Sequence, residues 1–167
     1  MPLTLFRIDD RLIHGQVVVG WVNALKADYI IVVNDAAAEN EFQKSLLKMA
    51  VPPQIKVDIF SVSEFNLKPD SKELLARRVI ILTSNPLDCL RLYEKGFKME
   101  EINLGGMRHS KNKKRYTNCI YLNEEDIAVF NKLIEKGVRV TVRMVPSDAG
   151  KELGECLLKG GCALEKD

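Results

Sequence analysis

The sequence predicts an α/β fold: a three-layer, doubly wound, mainly parallel open sheet in one domain over residues 1–167. Three observations lead there. β-branched runs at 29–33 and 79–82 contain no charged position, as strands covered on both faces require. Between such runs the apolar residues recur at helical spacing, as in Phe42, Leu46, Met49 and Ala50, or Leu87, Leu90 and Tyr93. Strand and helix patterns alternate along the chain, and a length of 167 residues supplies one sizeable core.

Taken in order, a first strand covers 3–8 and stops at Asp9-Asp10-Arg11. After Gly15, the positions Val17, Val18, Trp21, Val22 and Leu25 mark a helix apolar around much of its surface, packed tightly on a sheet. The strand at 29–33 ends at Asn34-Asp35, which can turn the chain, and the helical stripe at 42–50 is stopped by Pro52-Pro53. Residues 55–60 form a strand. Ser61 and Ser63 are candidate caps for a short helix, and the polar stretch 66–72 is a loop. The strand at 79–82 leads through Thr83-Ser84-Asn85 into a helix with Pro86 in its first turn and Gly96 at its C-terminus.

A short strand at 102–104 is followed by Gly105-Gly106, a basic segment and a strand at 119–122. Asn123 with Asp126 three positions on is a helix start, and Gly137 ends that helix. Residues 138–145 form a last alternating strand. A turn at Pro146-Ser147-Asp148 precedes a short terminal helix at 151–158 and a Gly-Gly tail. Right-handed crossovers place ligands at the carboxyl ends of such strands, where their order reverses. If strands 1 and 4 flank that point, the loop 9–14 faces Thr83-Ser84-Asn85.

Totals exclude several classes. A net charge of +2 provides no global field for nucleic acid or an acidic partner. No apolar run reaches the roughly 18–20 residues that span a bilayer, and the N-terminus lacks the basic region and cleavage site of an export signal. The cysteines at 89, 119, 156 and 162 are scattered, which reads as reduced thiols with no zinc spacing. No metal and no cofactor is expected, and no Gly-x-Gly-x-x-Gly or Walker pattern follows a strand.

The chemistry concentrates in Arg7-Ile8-Asp9-Asp10-Arg11-Leu12-Ile13-His14-Gly15-Gln16-Val17. A strand–loop–helix reading puts Arg11 and His14 at a helix start, where unpaired N–H groups and the dipole attract anions. Gly15 leaves that start open, Arg11 can grip a phosphate through two parallel bonds, and Asp9 or Asp10 can orient the imidazole or hold Arg11. A nucleophilic imidazole at an anion site suggests phosphoryl chemistry, with His14 carrying the phosphate.

This segment, followed by Trp21, resembles the active-site segment of IIB components of the mannose/fructose/sorbose family of the bacterial phosphoenolpyruvate:sugar phosphotransferase system (PTS). The likeness continues through Val33-Asn34-Asp35, Lys48-Met49-Ala50 with Pro52-Pro53, Asn103-Leu104-Gly105-Gly106-Met107 and Arg143-Met144-Val145-Pro146-Ser147-Asp148, and so covers essentially the whole chain. The resemblance implies that His14 takes a phosphoryl group on Nδ1 from a phosphohistidine of the IIA component, steadied by Arg11. It implies transfer onward to a sugar imported by the membrane components IIC and IID. A cytoplasmic location follows, with peripheral association with the permease. Family members are free or fused behind a IIA domain, and a chain that opens on strand 1 looks like the free subunit.

Transfer between imidazoles needs positioning and charge stabilisation, which backbone N–H groups of Leu12, Ile13, His14 and Gly15 can supply with Arg11. Thr83 and Ser84 are candidates for phosphate contact or helix capping, Trp21 for the core. Arg108, Lys111, Lys113, Lys114 and Arg115 form a basic cluster suited to docking an acidic partner. Two other readings remain: a regulatory phosphoacceptor of the same fold, and a nucleic-acid-binding protein using the 108–116 loop. The second lacks the interleaved aromatics such binding favours, so no nucleic-acid partner is expected.

Overall fold

A computed structural model describes residues 3–159. The elements run β1 (Leu3–Asp9), a helical run wound at π pitch (Val17–Val22), α1 (Asn23–Leu25), β2 (Tyr29–Val33), α2 (Asp35–Glu39), α3 (Glu41–Met49) and β3 (Lys56–Phe60). They continue with α4 (Lys72–Leu75), β4 (Val79–Thr83), α5 (Pro86–Glu94), β5 (Glu101–Gly106), β6 (Lys114–Arg115), β7 (Tyr121–Leu122), α6 (Glu124–Glu135), β8 (Arg139–Val142), β9 (Lys151–Glu152) and α7 (Leu153–Leu158).

The described residues form a seven-stranded sheet in the order β3-β2-β4-β1-β5-β8-β9, parallel throughout except for β9. β6 and β7 make a separate antiparallel ribbon. Period-two alternation divides the core into two layers. Ile30, Val32, Ile80 and Leu82 pack under Val17, Trp21, Ala37 and Leu47. Ile31, Val33, Ile81, Ile8 and Leu104 pack under Leu74, Cys89, Leu92, Phe130, Leu133 and Leu153. The doubly wound α/β expectation is therefore met.

The chain leaves β1 toward β2 over one face and leaves β5 toward β8 over the other, although β1 and β5 are neighbours. That is the reversal point, and it opens a crevice beyond the carboxyl ends of β1 and β5. At the far edge, Lys56 of β3 pairs with Asp58 and Glu73 at 3.0 and 2.7 Å.

Several elements differ from expectation. Asn34 ends β2 but also caps α2 by accepting from the Ala37 N–H at 2.8 Å, so the turn signal doubles as a helix start. No helix follows Ser61, whose backbone N–H and hydroxyl both donate to the Glu64 carboxylate. The loop at 66–72 ends at Ser71, which caps α4. The strand expected at 119–122 is confined to β7, and Lys151 and Glu152 pair with β8 before α7 begins. The expected Gly-Gly tail lies outside the described residues. The capping box of Asn123 and Asp126 is present on α6. Cys89 and Cys119 are free thiols, but Cys156 is disulfide-bonded, against the expectation of reduced cysteines. Spacing in sequence does not say which thiols the fold brings within bonding geometry.

Candidate active site

His14 lies where the loop after β1 becomes helical. Its carbonyl accepts from the Val18 N–H at 3.1 Å, so Gly15, Gln16 and Val17 form the first turn. The loop is folded back by Leu12, which adopts a left-handed conformation with φ of 58° and donates its N–H to the Asp9 carbonyl at 2.9 Å. A branched residue in this conformation costs on the order of 1–3 kcal/mol. The buried side chains of Leu12 and Ile13 pin the loop in place.

The site is organised by Asp9. Its carboxylate has no solvent exposure, and three side chains converge on it. His14 Nε2 lies 2.9 Å from Oδ2, and Arg7 Nη2 donates to the same oxygen at 3.1 Å. The Arg11 N–H and Nε donate to Oδ1 at 3.2 and 3.4 Å. Burial pushes the Asp9 pKa up, but the His14 hydrogen bond and the Arg7 charge outweigh it, and the carboxyl titrates below its ordinary value. Asp9 is therefore a carboxylate at neutral pH and can only accept. Nε2 is then a donor, and in the neutral tautomer this contact selects, the lone pair is on Nδ1.

Arg11 is 38% exposed and reaches the Gln16 side chain at 3.4 Å, so its guanidinium lies at the mouth of the site. Asp10 does not orient His14. Its carboxylate receives the N–H and Nε of Arg108 at 2.9 and 3.1 Å, and its own N–H donates to the Gly106 carbonyl. Asp10 thus ties the root of the basic segment to the active loop.

Thr83 lies beside β1, opposite Ile8, but its buried hydroxyl contacts Cys89 Sγ at 3.1 Å. The Ser84 hydroxyl accepts from Asn34 and Asn85, and Asn85 caps α5. Both residues belong to this neighbouring network rather than to the carboxylate of Asp9. Within the basic cluster, Lys113 is pinned to Asp126 at 2.9 Å, and Lys114 lies over the Tyr116 ring. Arg115 donates to Asn118 and to the Thr117 carbonyl. Arg108, Lys111, Lys114 and Arg115 are exposed, so the cluster presents charge outward from a ribbon braced by its own contacts.

Residues distant in sequence complete the floor. Arg7 donates to the Asn103 side chain, to the carbonyls of Arg143 and Met144 at 3.0 and 3.1 Å, and to Asp9. The Trp21 ring is buried as expected of a core residue. It also lies 5.2 Å from the Arg7 and 5.4 Å from the Arg143 guanidinium, and its Nε1–H donates to the Met144 carbonyl. Arg7 stood inside an apparently apolar strand. The available signal was its position two residues before Asp9, hence on the same face of the sheet. Among the described residues no group of three His, Cys, Asp or Glu side chains could hold a metal. No helix among them is long and apolar enough to cross a membrane.

The chain matches the family model of the PTS system sorbose subfamily IIB component over residues 3–167. It is similar to the PTS system fructose-specific EIIB component of Bacillus subtilis (strain 168), 36% identical over 157 residues covering 94% of this chain and 96% of the relative. It is 35% identical to the PTS system mannose-specific EIIAB component of Escherichia coli (strain K12), covering 95% of this chain and 49% of that longer protein. The crystal structure of the IIBSor domain of the sorbose permease from Klebsiella pneumoniae superposes with a TM-score of 0.84 at 34% identity, covering 95% of this chain and 98% of that one. With the sheet order and the His14 loop described above, these matches show that the chain belongs to the sorbose-type family of PTS IIB components, phosphotransferases of sugar transport.

Proposed function

We propose that His14 is the phosphoryl carrier of this IIB component, accepting on Nδ1 and delivering to a sugar. The observation that carries this reading is the 2.9 Å contact between Nε2 and the unexposed Asp9 carboxylate, which leaves Nδ1 as the nucleophile. The His14 side chain is 17% exposed, enough for a second imidazole to approach in line.

As the new N–P bond forms, positive charge develops on the His14 ring, and Asp9 is already placed to balance it. The donor imidazole departs with the electron pair of its broken N–P bond. The N–H groups of the first helical turn and the Arg11 guanidinium face the equatorial oxygens. In the second half-reaction a sugar hydroxyl attacks the same phosphorus and gives up its proton to solvent, and the His14 ring leaves as a neutral imidazole with the electron pair of the broken N–P bond on Nδ1.

The phosphoryl donor in this reading is a IIA phosphohistidine. The mannose-specific relative is named as an EIIAB component and is about twice as long as this chain's match to it. The acceptor is a sugar presented by IIC and IID, which places the protein at the cytoplasmic face of that permease. The exposed charges of Arg108, Lys111, Lys114 and Arg115 steer an acidic surface toward the site. Residues 1–167 act as one IIB domain, without metal or cofactor.

Incubation with phosphoenolpyruvate and the upstream phosphotransfer proteins, followed by intact mass measurement, tests this. The expected result is one acid-labile phosphoryl group, absent after His14→Ala. Label that persists in that variant refutes the assignment.

A further inference from the structure

We propose that Arg7 is a positioning residue for phosphoryl transfer, acting through Asp9 to fix the orientation of the His14 ring. The inference deepens the reading above and rests on it for the transfer step.

A guanidinium with no exposed surface is costly to bury unless acceptors surround it. Arg7 has four, drawn from two strands and the segment that follows β8: Asp9, Asn103, the Arg143 carbonyl and the Met144 carbonyl. Its fifth donor, Nε, is buried without a partner. A structural cation would gain from a site that satisfies every donor, so the arrangement favours aim over saturation.

What it aims at is one oxygen. Asp9 Oδ2 receives Arg7 Nη2 and His14 Nε2 together, so the guanidinium fixes the torsion of the carboxylate that in turn fixes the imidazole. Its buried positive charge also joins the His14 hydrogen bond in holding the Asp9 carboxyl below its ordinary value, in the ionised form that accepts from Nε2.

The backbone opposite is built around this side chain. A Cβ on Gly105 would lie 1.9 Å from Arg7 Cζ and 2.0 Å from Nη2, so only glycine lets the guanidinium lie over β5. Gly106 plays the lesser part, its missing Cβ falling 3.0 Å from Asp9 Oδ1. The two glycines after Leu104 thus make room for an ion pair.

Because Arg7 is wholly enclosed, it cannot touch the donor protein or the sugar. Its removal should slow transfer without weakening partner binding, a split that separates positioning from docking. Three variants test this: Arg7→Met, Arg7→Lys and Gly105→Ala. The last keeps every charge and displaces only the guanidinium, so it decides the matter even if Arg7→Met fails to fold.

Two readouts are taken. One is the proton resonance of His14 Nε2–H, identified by its loss in His14→Gln. The other is the kinetics of transfer from the phosphorylated donor. The expected result is a slowly exchanging Nε2–H in the native chain that is lost in Gly105→Ala and Arg7→Met. With it, kcat falls about 100-fold while KM changes about twofold or less. Arg7→Lys, with the charge but not the fork, should fall between. An Nε2–H signal and kcat like those of the native chain in folded Gly105→Ala overturn the proposal. If the native chain takes no phosphoryl group on His14, the function proposed above fails, and the Nε2–H readout still decides whether Arg7 positions the ring.

Discussion

Two polar clusters lie side by side along the carboxyl edge of this sheet, built from nearly the same parts. Beyond β2 and β4, Asn34, Ser84 and Asn85 interlock, while Arg91 joins Asp35 at 2.8 Å and Asp88 at 3.0 Å. Beyond β1 and β5, Arg7, Arg11 and His14 converge on Asp9. The first cluster turns its groups on one another and caps α2 and α5. The second ends in an imidazole, and in the function proposed above its Nδ1 takes the phosphoryl group. Polar residues at strand ends are therefore no guide to chemistry until their hydrogen bonds are followed to the last acceptor.

The acids make the contrast quantitative in sign. Burial dominates at Asp88 and raises its pKa, against the bonds from Asn85 and Arg91. At Asp9 burial also raises, but the histidine and the arginine reverse it. A carboxyl whose folded pKa lies below its ordinary 3.8 contributes stability above that pH and loses it as the pH falls through the folded value. Asp88 acts oppositely: its ionisation opposes folding, and acid relieves it.

The sharpest way to break the comparison is His14→Ala, which should abolish phosphoryl acceptance in the mass assay and leave the β2/β4 cluster untouched. Next is Asp9→Asn. It leaves Arg7 buried without its counter-charge and should cost about 3–5 kcal/mol at pH 7 by denaturant unfolding, together with most of the transfer rate. The stability gap to the native chain should close as the pH is lowered below 3.8, the ordinary value for Asp9. A gap that widens in acid would contradict the ionised state assigned to this carboxyl. Arg11→Ala should slow transfer about 10- to 100-fold with little change in melting temperature, since its guanidinium is part-exposed and loosely held. At the small end, Asn85→Ala should cost about 1 kcal/mol of stability through the lost cap and leave transfer kinetics unaltered. Slower transfer in that variant would show that the two clusters are coupled.

Much of this was legible in order along the chain. The strands at 29–33 and 79–82, the Asn123 cap and the loop from Asp9 to His14 are local patterns, each set by neighbours within one or two turns. The choice between Asp9 and Asp10 was not local. It depends on Gly106 and Arg108, which parallel pairing brings to the end of β1 from about a hundred residues away. The same holds for Asn103, Arg143 and Met144 around Arg7, because crossover connections hide strand neighbours from any window of sequence. α2 was missed although Asn34 announced it, since asparagine followed by aspartate suits both a turn and a cap. β9 is a two-residue pairing that leaves no periodicity to read.

The outer border of the sheet at β3 has its own consequence. Lys56 stands there between Asp58 and Glu73, so a strand from another molecule arriving at that border would have to strip charges of both signs from water. An open parallel sheet that ends in ions resists being lengthened.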